Sequence, residues 1–83
     1  MKEILEGNMK FFEFDVGEQA KVFRGRYITS HTTPLWTHGY LCTIIRYNKS
    51  GSVSVRIKDY EDETHYIDYK DLVPVDYDLS HLA

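Results

Sequence analysis

Between Tyr40 and Tyr60 the chain carries two runs of β-branched and aromatic residues around a turn, a pattern that reads as a β-hairpin. The first run, Tyr-Leu-Cys-Thr-Ile-Ile-Arg-Tyr from Tyr40 to Tyr47, is rich in residues that fit a pleated, half-buried surface. Asn48-Lys-Ser-Gly51 follows. Asn bonds readily to nearby backbone, and Gly51 accepts the positive φ that ends such a turn. From Ser52 the side chains alternate: Val53, Val55 and Ile57 point one way, Ser54, Arg56 and Lys58 the other. In the first run Leu41, Thr43, Ile45 and Tyr47 share one face, and Tyr40, Cys42, Ile44 and Arg46 share the other. Both faces hold apolar residues, so this pattern leaves the inward face open.

The rest of the chain extends the β reading. Ala20 and Val22 lie on one side of a strand that opens after Gly17, with Lys21 and Phe23 on the other. Gly25 marks a bulge as that strand enters a loop. The loop, residues 28–39, is Thr-, Ser-, Pro- and Gly-rich and carries the sole tryptophan, Trp36. Loops of this length in small domains often bind something. After the charged turn Glu61-Asp62-Glu63, the segment Thr64 to Tyr69 places His65, Ile67 and Tyr69 opposite Tyr66 and Asp68, with its register open. Pro74 favours an extended Val73, so Asp71 to Val75 is expected to turn and Val75 to start a last strand. Phe11 to Asp15 packs or forms a short strand, and residues 1–10 cap the core or lead into it. No stretch has a 3.6-residue period. The expectation is an all-β fold of about five short antiparallel strands, closed as a small barrel because closure hides sheet edges.

Length and charge bound the function. Eighty-three residues make a single domain, 1–83, with the barrel at about 16–75. The composition, 42% hydrophobic and 28% charged, is that of a globular chain. Residues 1–55 hold seven Lys/Arg against five Asp/Glu, and residues 56–83 hold three against eight, so acidity gathers in the C-terminal third. That balance disfavours general nucleic-acid binding. The first residues lack a signal peptide's apolar core, and no run is long enough to span a bilayer. The single cysteine, Cys42, forms no internal disulfide. A reducing, cytoplasmic setting without membrane contact is expected.

A resemblance emerges from these residues. A strand after Gly17, a long loop with Trp36, a hairpin, and then Val53-x-Val-x-Ile-x-Asp-Tyr60 followed by Leu72-Val-Pro74 look like an SH3-like barrel of the Tudor type. The likeness covers residues 16–75. It implies an aromatic cage in which Trp36 or Tyr40 and Tyr60 stand as walls and Asp59 or Asp62 supplies a carboxylate. Ile57 stands where another wall is often aromatic, and an aliphatic side chain lacks the ring quadrupole that attracts a cation. In its length, acidity and single-barrel plan the chain also resembles uncharacterised Bacillus prophage proteins of the YorP type.

Chemistry-bearing residues point away from catalysis. His31 and His38 supply two metal ligands where a stable site needs more, so no metal and no cofactor is expected. Cys42 lies in an apolar strand, where a thiol is ordinarily inert. Ser30 and Thr32 beside His31 form no nucleophile motif, and no Gly-rich phosphate loop is present. The chain is expected to be no enzyme. Seven tyrosines and one tryptophan are many for this length, and such residues suit interfaces. The expected function is protein or peptide binding through Trp36, Tyr40, Asp59, Tyr60, Asp62 and Tyr66. Two alternatives stand beside it. One is nucleic-acid binding, which requires Arg24, Arg26 and Arg46 beside the rings. The other is a structural or assembly role in a phage or prophage.

Overall fold

The computed structural model describes residues 1–27 and 32–79. His31 and Ser30, and the tail residues 80–83, lie outside them. Among the described residues there are seven strands in two antiparallel sheets. Lys2–Glu6 (β1) and Met9–Glu13 (β2) make a two-stranded sheet of their own. Gln19–Val22 (β3), Leu41–Tyr47 (β4), Ser52–Ile57 (β5), His65–Asp68 (β6) and Leu72–Val73 (β7) make the second, in the order β6-β5-β4-β3-β7.

The closed barrel expected from the sequence is therefore corrected. The five-stranded sheet is open, with β6 and β7 at its edges and no ladder between them. The two edge strands are nevertheless joined by one 3₁₀ turn, Tyr69–Asp71, so the sheet is strongly curled. Asp68 caps that turn by accepting the Lys70 N–H at 2.9 Å. The β1–β2 hairpin packs over the region where a closing ladder would run: β2 contacts the 3₁₀ turn and β7, and the Phe11 ring meets Tyr69 at 5.5 Å. The β6 edge is covered in part by the segment that leads into the 3₁₀ turn before β4, where the Thr33 hydroxyl accepts the Asp68 N–H at 2.9 Å.

The core is one cluster built from Phe12, Phe14, Ala20, Val22, Cys42, Ile44, Val53, Val55, Ile57, Ile67, Leu72 and Val73 with neighbours. Its β5 members are those that the alternation picks out. On β4 the inward face is Cys42 and Ile44, paired with Ile57 and Val55. A bulge between Ile44 and Arg46 then shifts the register, so that Tyr47 pairs with Val53 on the same sheet face while keeping 38% of its surface exposed. This resolves the two-faced apolar pattern of that strand: the extra residue switches which parity faces inward. Ser52 and Ser54 on the other β5 face are also buried, and the Asn48 amide satisfies both hydroxyls by donating to them at 3.2 and 3.0 Å.

Three local expectations change. Residues 2–13 are a hairpin, closed by Gly7-Asn8 with Gly7 at φ +61°. Gly25 sits in a turn closed by the Arg26 N–H on the Phe23 carbonyl, and not in a bulge. The last strand precedes Pro74, since Leu72 and Val73 pair with Val22 and Lys21 while Val75 is exposed in a turn.

Candidate binding face

Four rings meet at one end of the five-stranded sheet. Trp36 comes from a 3₁₀ turn, Leu35–Thr37, that precedes β4. Thr37 anchors this turn: it is fully buried, and its hydroxyl donates to the Pro34 carbonyl at 2.6 Å. Gly39, at φ +84°, then lets the chain rejoin the sheet, its N–H on the Val22 carbonyl at 2.7 Å. The Val22 N–H in turn reaches the Tyr40 carbonyl at 3.0 Å. Tyr40 is therefore fixed at the entrance to β4. Tyr60 lies in the β5–β6 turn, with its N–H on the Ile57 carbonyl at 3.0 Å. His65 opens β6 opposite Val55.

Trp36 sits among the others. Its ring meets Tyr40 at 5.7 Å and 89°, Tyr60 at 5.1 Å and 61°, and His65 at 5.3 Å and 78°. Tyr40 and Tyr60 lie 5.8 Å apart. The three Trp36 contacts are edge-to-face, of the kind the ring quadrupoles favour, and the Tyr40–Tyr60 pair is tilted at 41°. The rings are nonetheless far from buried: Trp36 keeps 47% of its surface exposed, Tyr40 37% and Tyr60 48%. Leu35 on the same turn is exposed as well. The Tyr40 phenol is held above the ordinary tyrosine range, first by its hydrogen bond with Tyr60, then by charge repulsion from Tyr60, by partial desolvation and by Asp59.

Beside Tyr60 opens a recess of about 220 Å³ lined by Asp59, Tyr60, Asp62 and Glu63. Asp59 has φ +72°, the left-handed conformation that Asp tolerates better than most side chains. Glu63 reaches His65 Nε2 at 3.6 Å. Among the described residues no basic group lies within ion-pair distance of Asp59 or Asp62. Arg56 and Lys58 line a different recess with Glu61.

The structure thus brings together Trp36, Tyr40 and Tyr60, and sets Asp59 and Asp62 next to them. Tyr66 is exposed but stands apart, because it pairs with Ser54 on the sheet face opposite His65 and Ile67. Ile57 is fully buried in the core. His65 and Glu63 belong to the cluster although the sequence reading did not place them there. The signal was available in the hairpin itself: Tyr60 and His65 flank one turn, so antiparallel pairing of β5 and β6 brings them to the same sheet end.

The three arginines are not brought together. Arg24 donates through Nε to the Thr33 carbonyl at 3.1 Å. Arg26 is held inside the protein's own aromatic groups, 5.0 Å from the Phe12 and Tyr27 centroids and 5.3 Å from Tyr77. Arg46 bonds Asn48 at the far end of β4 from Tyr40.

Other reactive groups are occupied or withdrawn. His38 Nδ1 accepts the Arg24 N–H at 3.1 Å, which removes it as a simple metal ligand. His31 lies outside the described residues. Among the described residues no three His, Cys, Asp or Glu side chains gather as a metal-binding group. Cys42 is buried, and that burial pushes its thiol up to about 12 against a weaker opposing hydrogen bond from Ala20. No helix of the described residues is long and apolar enough to cross a membrane.

Compared with protein-family models, curated proteins and solved structures, the chain matches none.

Proposed function

We propose that the chain is a small non-catalytic module that binds a protein or peptide segment on the Trp36–Tyr40–Tyr60 face. One observation carries this reading: three large rings are locked against each other while each stays more than a third exposed. A fold of this size has every reason to bury its one tryptophan, and burying an aromatic ring fully is worth about 1.5–3 kcal/mol. Here the ring is left at the surface and rigidified. Rings held in place lose little conformational freedom on binding, and Trp and Tyr dominate the energetics of protein interfaces. Leu35 extends the same apolar surface.

The separation of Arg24, Arg26 and Arg46 favours this reading over nucleic-acid binding. A stacking platform for single strands needs cations along the rings to hold the phosphates. Here one arginine is engaged by three internal rings and another lies at the far end of β4.

The test is selection of short peptides against the full chain, followed by titration of the protein into fluorescently labelled peptide, read by anisotropy so that variants lacking Trp36 are measured in the same way. Specific binders are expected, and Trp36→Ala or Tyr60→Ala should weaken them about tenfold or more. Tyr66→Ala, on the other sheet face, should leave them unchanged. Binders that ignore both Trp36→Ala and Tyr60→Ala would overturn the assignment of the face.

A further inference from the structure

We infer that the partner of this face is a basic peptide, and that one of its lysine or arginine side chains enters the recess beside Tyr60 as an N–H-bearing, unmethylated cation. This inference rests on the reading of the face as a protein-binding surface and adds the chemistry of its ligand.

Charge complementarity points to a cation. Asp59, Asp62 and Glu63 line the recess together with the Tyr60 ring. Two of the three carboxylates meet no basic group among the described residues, and the nearest basic residues in sequence, Arg56 and Lys58, line another recess. At about 220 Å³ the space falls below the roughly 300–1,000 Å³ that holds a drug-sized molecule, and it is the scale of one side chain. An incoming stem can lie across the exposed rings while its charged end reaches the carboxylates.

The rings themselves decide the kind of cation. A cage that encloses a quaternary ammonium needs ring faces standing apart around a hollow, each within about 6 Å of the charge. Here the rings touch one another directly instead of standing apart. Trp36 presents to Tyr40 at 5.7 Å and 89° and to Tyr60 at 5.1 Å and 61°, and His65 occupies a further side at 5.3 Å. No hollow remains between them. Recognition therefore falls to the carboxylates at the margin. Carboxylates reward hydrogen-bond donors: an ammonium offers three and a guanidinium five, whereas a trimethylated ammonium offers none. Methylation removes the favoured contact and adds bulk to a recess sized for one side chain.

The experiment uses the peptides selected above, each made in four forms at its principal basic position: Lys, Arg, trimethyl-Lys and Gln. Binding to the full chain is read by the same anisotropy titration. Lys and Arg forms are expected to bind about tenfold or more tighter than the trimethyl-Lys and Gln forms. The variant Asp59→Asn/Asp62→Asn should lose that discrimination. Asn tolerates the positive φ at position 59, so the substitution removes charge without straining the turn. Glu6→Gln/Asp76→Asn makes the same change in net charge away from the recess and should bind as the parent does. Peptides that need Trp36 but are neutral or acidic overturn the basic partner and leave the binding face standing, and so does tighter binding of the trimethyl-Lys form. If no peptide is selected, or if single-stranded oligonucleotides alone bind, both the face as a protein-binding surface and this ligand fall together.

Discussion

The Trp36 indole meets the Tyr60 ring at 5.1 Å, although the two come from segments on either side of the β4–β5 hairpin. Each ring restrains the other on an exposed surface. Neither is a core residue, so truncating either one alone should cost little stability. Their contact should still be measurable. A double-mutant cycle of Trp36→Ala and Tyr60→Ala, followed by urea unfolding, is expected to give a coupling of about 0.5–1.5 kcal/mol. A coupling of zero would mean that the rings are not held together in solution.

Tyr47 gives a second expectation. The β4 bulge sets it opposite Val53, and its hydroxyl accepts the Phe14 N–H at 2.8 Å. Tyr47→Phe keeps the ring and leaves that part-buried donor without its partner. The loss should be about 1 kcal/mol, toward the low end for a stranded donor because water can reach the site in part. A lower urea midpoint at constant slope is the expected result. An unchanged midpoint would show that the hydroxyl bond contributes nothing net.

Alkaline pH should destabilise the fold through Cys42 and Tyr47. Burial raises both groups: Cys42 from 9.0 to about 12, and Tyr47 from its ordinary 10.0. For Tyr47 the Phe14 N–H works against that rise, and Glu13, Glu18 and Asp15 add to it. The folded protein then holds these protons more tightly than the unfolded chain. Stability is fully present below the unfolded values and is lost as pH climbs from about 9 upward. Thermal midpoints across that range should fall less steeply in Cys42→Ala than in the parent. The same burial predicts that a thiol reagent labels Cys42 at neutral pH only when the chain unfolds. Rapid labelling of the folded protein would contradict it.

Much of this architecture was legible from local signals. The turn at Asn48–Gly51 and the alternation through Val53, Val55 and Ile57 fix β5 and its hairpin with β4 because each is written within a few residues. The inward face of β4 was not legible, since a bulge is a register event between two strands and leaves no mark on one strand alone. The β1–β2 hairpin was obscured for a different reason. Phe11 and Phe12 are neighbours and both are buried, one against Tyr27 and Tyr69 and the other against Tyr77 and the core. A strand buried on both sides does not alternate. Whether a curled sheet closes depends on its last pair of edges, and no residue pattern near Ile67 or Leu72 encodes a ladder that is absent. In the site, aromatic character singled out Trp36, Tyr40 and Tyr60, but distance along the chain could not show that they touch one another instead of ringing a hollow.

The separate pairing of β1 with β2 has a consequence for how the molecule comes apart. That ladder is local, so it forms quickly, but two strands alone are marginal in water. It persists because Phe11 and Phe12 dock on a surface that exists only once distant segments such as Lys21 and Val73 have met. The hairpin is thus a late arrival in assembly and the natural first departure on loosening. The contacts described above for Trp36, Tyr40 and Tyr60 run through β3, β4, β5 and β6 and involve no residue of the hairpin. The N-terminal cover and the aromatic face are thus carried by different segments and are joined only through the shared core that Phe12 enters, so amide exchange in β1 and β2 is expected to be faster than in β4 and β5.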